Sequence, residues 1–160
     1  MNGFQKKICT AFTLTFAVLG LGLSAAGYAA DGENQALFDK THRAYNQLLQ
    51  DNVKNGMVNY AALVGAHDGS LPILAAYLGS LAAVAQDDFE TWEVSEQLAF
   101  MVNLYNAATL QLIVDNYPVD SIKEIGWWAH NAWKKKIINL FGRHISLDCL
   151  EHDIIRAQFQ

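Results

Sequence analysis

The stretch SEQLAFMVNLYNAATLQLIVDNYP, residues 95–118, decides the fold. Leu98, Phe100, Met101, Val102, Leu104, Tyr105, Leu110, Leu112, Ile113 and Val114 leave it almost no polar face. A helix of this kind, running from about Val94 to Asn116, is expected to be buried on every side at the centre of a domain. Asn103 and Asn106 stand three residues apart and so share one face. A buried amide without a partner costs about 1–3 kcal/mol, so both are expected to be buried and hydrogen-bonded. Pro118 closes the helix.

Upstream, Leu37, Phe38, Ala44, Tyr45, Leu48, Leu49 and Val53 recur at helical spacing and predict a helix from about Gln35 to Val53, stopped by Asn55-Gly56. Met57, Val58, Tyr60 and Leu63 suit a short strand or an extended arm. Ser70, with Pro72 in the first turn, opens a second helix carrying Ile73, Leu74, Tyr77, Leu78, Leu81 and Val84. Asp87, Asp88 and Glu90 mark a polar break.

Downstream, Val119–Ile125 reads as a short helix opened at Asp120 or Ser121. Lys136–Leu140, the turn Phe141-Gly142-Arg143 and His144–Leu147 read as a β-hairpin. Ser146 is placed to cap a last helix from Leu147 to about Ala157. No C-cap glycine follows, so the domain reads as incomplete. The expected class is α+β, mainly helical: a buried central helix 94–116, flanking helices and a small C-terminal hairpin.

The first thirty residues belong to another function. Lys6 and Lys7 precede a run without charge from Ile8 to Ala30, which turns small at Ser24, Ala25, Ala26 and Gly27. That is the layout of a secretory signal peptide, with the cut best placed after Ala29. An uncleaved anchor is the alternative. The organisation expected is a signal peptide over 1–29 and one domain portion over 30–160, periplasmic or secreted, with no stable membrane span after cleavage. Losing Lys6 and Lys7 takes the net charge from −5 to −7. That balance disfavours a phosphate-tracking nucleic-acid partner. Cleavage would also remove Cys9 and leave Cys149 as a lone thiol.

Two segments resemble a known family. LAFMVNLYNAATLQLIVDNYPVDSIKEIG, Leu98 to Gly126, is similar to the core motif of the domain of unknown function 547 family, with Phe100, Asn103, Tyr105, Asn106 and Ala107 in place. WKKKIINLFGRHISLDCLEHDIIRAQF, Trp133 to Phe159, is similar to its second motif through Ser146, Leu147, Asp148, Glu151, His152, Ile155 and Arg156. The resemblance covers about Gln35 to Gln160. It implies that the family domain continues past this chain, with a histidine and a cysteine, and that the chain carries its N-terminal part. Cys149 stands where the family usually has an acid, at a position where an acid would favour the helix start. The resemblance implies no substrate or reaction.

The candidate chemistry rests on few residues. Asn103, Tyr105 and Asn106 are candidates to line a catalytic site, or else a polar cluster serving the backbone. Glu151 and His152 are a candidate acid and general base, though neighbours on a helix point about 100° apart and do not bond each other. Trp127, Trp128 and Trp133, with Lys134, Lys135 and Lys136, form a candidate binding loop, or a loop pinned on the core by tryptophans. His130, His144 and His152 lack metal-ligand spacing, so no metal site is expected. Neither a nucleophile elbow nor a phosphate-cradling glycine loop is present, and no cofactor is expected. The leading functional reading is an exported, hydrolase-type domain with an incomplete site. Its alternatives are a non-catalytic envelope binding module and a truncated remnant. An apolar face left uncovered would favour self-association.

Overall fold

The computed structural model describes residues 38–65, 70–126 and 131–159. Residues 1–29, read from sequence as a signal peptide, and Trp127 and Trp128 lie outside the described residues. The fold is mainly helical α+β with a small antiparallel hairpin near the C-terminus.

Helix α1 spans Arg43–Asn52. It starts later than periodicity suggests because Asp39 captures the chain before it: its carboxylate accepts from the Thr41 and Arg43 backbone N–H groups at 2.9 and 3.2 Å. Asn55-Gly56 does more than end this helix. Both residues have positive φ and form the two-residue turn joining β1 (Val53–Lys54) to β2 (Met57–Val58). Tyr60 and Leu63 then belong to a short helix, α2 (Tyr60–Gly65), rather than to a strand. Helix α3 (Ser70–Ala82) follows as expected. The acidic break instead folds into α4 (Gln86–Glu90): Asp87 and Asp88 occupy its positively polarised first turn, and Phe89 points inward.

Helix α5 (Val94–Asp115) is central, packed by α2, α3 and the last helix. By length and composition alone it is long and apolar enough to cross a membrane. Here Phe100, Met101, Leu104, Ala107, Ala108, Leu110, Leu112 and Val114 are buried in the core. The expectation of burial on every side is corrected. Ser95, Val102 and Asn106 form an outward stripe, and Val102 is 40% exposed. An apolar valine on the outer face erases the contrast from which an exposed side would be read. The expected burial of the asparagines is corrected with it. Asn106 is exposed and Asn103 half-buried, and neither amide makes a hydrogen bond within the described residues. Asn106→Leu is therefore expected to change stability by no more than about 0.5 kcal/mol. A thermal melt showing a loss above about 1 kcal/mol would contradict this placement.

Past α5, a single 3-10 turn at Ile122–Glu124 replaces the expected short helix; the Ser121 hydroxyl accepts from Lys123 N–H. A second such turn, Ala132–Lys134, is capped by Asn131. The hairpin is β3 (Ile138–Leu140) and β4 (Arg143–Ile145), tighter than the expected strands. Phe141 and Gly142, with φ of 51° and 73°, form the two-residue turn whose twist matches the strands. Ile138, Leu140 and Ile145 face the core. The chain closes with a π-helical turn, Cys149–Ile155, running into α6 (Arg156–Gln158).

Candidate functional site

The last helix begins as the sequence predicts. Ser146 Oγ accepts from the Cys149 N–H at 3.1 Å. Leu147, Leu150 and Ile154 form its inner face and are almost fully buried. The wide turn is not legible in the sequence: the Arg156 N–H donates to the Glu151 carbonyl, five residues back. In a regular α-helix, residues five apart stand about 140° from each other. The wide turn brings them to one side, and Arg156 Nη2 donates to Glu151 Oε1 at 2.7 Å.

Glu151 also meets the central helix. Its carboxylate lies near the Tyr105 hydroxyl, and the Trp133 indole lies near the same phenol, each close enough to shift the phenol's proton affinity. The hydrogen bond to the carboxylate is the one from Arg156, with the Tyr105 phenol and the Trp133 indole nearby. The charges agree with this arrangement. The Arg156 hydrogen bond, reinforced by Tyr105, holds Glu151 below the usual carboxylate range. Burial first, and then the nearby Glu151 carboxylate, push the Tyr105 phenol up. At neutral pH the phenol keeps its proton and the carboxylate is ionised.

His152 lies beside this cluster. Its Nε2 stands 3.7 Å from Asp148 Oδ1, one turn back, and both side chains are half exposed. Asp148 and His152 also act electrostatically on Tyr105 and Glu151 respectively, so the groups share one patch. Within it an ionised carboxylate is anchored by a guanidinium beside a phenol. An acid-paired imidazole, the side-chain type suited to moving protons near neutrality, stands open to solvent.

Of the residues singled out from sequence, Tyr105, Trp133, Glu151 and His152 come together here. Asn103 and Asn106 make no bond to the cluster, and the Trp127 and Trp128 part of the candidate binding loop lies outside the described residues. Sequence reading missed Arg156 and Asp148 as partners. The Asp148–His152 spacing was the available signal for one; the Arg156 contact depends on the wide turn. Cys149 is disulfide-bonded in the full chain; its reading as a lone thiol concerns the chain after loss of Cys9, which lies outside the described residues. Among the described residues no group of three or more His, Cys, Asp and Glu is arranged to hold a metal ion.

Fold and patch together define a mainly helical α+β domain whose central helix is tied to a π-bulged C-terminal helix by polar contacts at the edge of the core. The family model described as "Protein of unknown function, DUF547" matches residues 89–160, so this part of the chain is similar to that family. The resemblance read from sequence reaches back to Gln35, whereas the match begins at Phe89, in α4. No match is found among curated proteins or solved structures.

Proposed function

We propose that the chain is an exported domain with hydrolase-type acid–base chemistry at the Tyr105–Glu151–His152 patch. The observation that carries this reading is the π-helical turn. It sets the Asp148–His152 pair beside a carboxylate fixed by Arg156 and close to Tyr105. In this reading His152 takes a proton from an attacking water, and Asp148 orients the imidazole and stabilises its cation. The Arg156 guanidinium, half exposed, offers its remaining donors to an oxygen that gains charge in the reaction. The charged start, apolar run and small-residue tail of residues 1–29 support delivery across the inner membrane, with removal of that segment.

The test is a panel of chromogenic carboxylic esters, glycosides, phosphoesters and peptide anilides offered to the full chain. Turnover above the blank is expected with one class, falling about 10²–10⁴-fold in His152→Ala. Turnover that survives His152→Ala would remove the imidazole from the mechanism. No turnover with any class would favour the binding-module reading, in which Trp133 beside Tyr105 holds a ligand.

A further inference from the structure

A cleft of about 480 Å³ lies where α3, the C-terminal half of α5 and strand β3 meet. Neither Tyr105 nor Glu151 lines it, so its chemistry is independent of the function proposed for their patch. Its floor is aliphatic, with Leu78 from α3 and Leu104 and Leu112 from α5. Two residues lining the cleft, Gln111 and Asn139, carry buried oxygens, Oε1 and Oδ1, that have no hydrogen-bond partner. They are the buried side-chain polar atoms without partners among the described residues. Native proteins rarely leave such acceptors unmet.

The Gln111 amide cannot simply be turned round. Its Nε2 donates at 2.6 Å to Asp115 Oδ1, and a carboxylate can only accept, so the oxygen stays on the far side. Asn139 stands opposite His144 in the hairpin register, and both line the cleft. The Asp115 carboxylate adds an acceptor to the lining and the Lys136 ammonium a donor.

We infer that this cleft binds a small aliphatic molecule whose polar end donates hydrogen bonds, an ammonium or a hydroxyl, to Gln111 Oε1 and Asn139 Oδ1. The volume is in the range of small-molecule sites, and an apolar floor with a few converging polar groups is their usual composition. A carboxylate head group would set its own lone pairs against two acceptor oxygens and the charge of Asp115, which together outnumber the Lys136 ammonium in the lining.

The experiment titrates the ¹⁵N-labelled full chain with n-pentylamine hydrochloride, n-pentanol and sodium pentanoate. Saturable shifts of the Gln111 and Asn139 side-chain amide signals are expected with the amine or the alcohol, and none with pentanoate. Tighter binding of the amine would place Asp115 in the head-group site; tighter binding of the alcohol would confine that site to the two amide oxygens. Gln111→Leu and Asn139→Leu are each expected to weaken binding about five- to tenfold. Their melting temperatures should stay at or above that of the parent, because an apolar replacement removes an unmet acceptor. Pentanoate binding as tightly as the other two, unchanged affinity in both leucine variants, or a cleft that takes up water alone would each overturn the inference.

Discussion

Phe100→Ala is expected to cost about 3–5 kcal/mol of folding free energy, measured by denaturant unfolding of the full chain. Phe100 is fully buried and is the hub of an aromatic cluster drawn from four parts of the chain. Its ring lies 5.6 Å from Phe38, ahead of α1, 5.2 Å from Phe89 on α4, 5.6 Å from Trp92, and 6.4 Å from Phe141 in the hairpin turn. The Phe38 and Trp92 contacts are edge-on, an arrangement that adds about 0.5–1.5 kcal/mol per pair beyond area burial. Alanine would leave a void walled by four rings from separate parts of the chain, so collapse can fill little of it. Phe100→Leu, which keeps most of the volume, should fall between the two. A loss below about 1 kcal/mol for Phe100→Ala would show that the cluster does not hold these elements together.

The same cluster separates the legible from the illegible. Phe100 stands out in the sequence because it lies in an apolar helical run, and periodicity sees that. Phe89 does not, because it sits among Asp87, Asp88 and Glu90, where local composition reads as a break. The tertiary contact with Phe100 adds what local composition lacks. The two hairpin turns divide the same way. Phe141-Gly142 is recognisable because apolar runs flank it, whereas Asn55-Gly56 reads as a helix stop because its strands are two residues long. At the candidate site, Tyr105, Glu151 and His152 emerge through the family motifs. Their grouping depends on a π-helical turn, and the sequence around Cys149–Ile155 carries no helix breaker to announce one. The asparagines of α5 mark the opposite failure. Hydropathy along that helix is so uniform that inside and outside cannot be separated without the neighbouring helices.

Raising the pH should destabilise the protein across a window set by two tyrosines. Tyr45 and Tyr77, both buried, stack at 4.6 Å with nearly parallel rings. Burial is the main cause that pushes the Tyr45 phenol up to about 12, with a smaller contribution from Tyr60. Burial, followed by Tyr45, drives Tyr77 higher still. The Tyr77 hydroxyl also pairs with His42 Nδ1 at 2.6 Å. Burial holds that imidazole below its ordinary range, so the ring is neutral, and its tautomer sets which of the two groups donates. A phenol whose folded pKa is raised stabilises the fold fully below its unfolded value near 10, and that contribution is lost as the pH climbs through the folded value. For Tyr45 alone the loss is about 2–3 kcal/mol by pH 12, at 1.36 kcal/mol per unit. Urea unfolding at steps from about pH 8 to 11.5, with tyrosinate absorbance followed alongside, measures it. Stability should be flat to about pH 10 and then fall, with ionisation of these two phenols arriving together with unfolding. Tyr45→Phe should keep its stability near pH 8 within about 1 kcal/mol, because the Tyr45 hydroxyl has no bond among the described residues like the one Tyr77 makes, and should flatten the alkaline fall. If Tyr45 and Tyr77 instead ionise near pH 10 while the helices stay intact, the stacked pair is open to water and the packing of α1 on α3 is wrong.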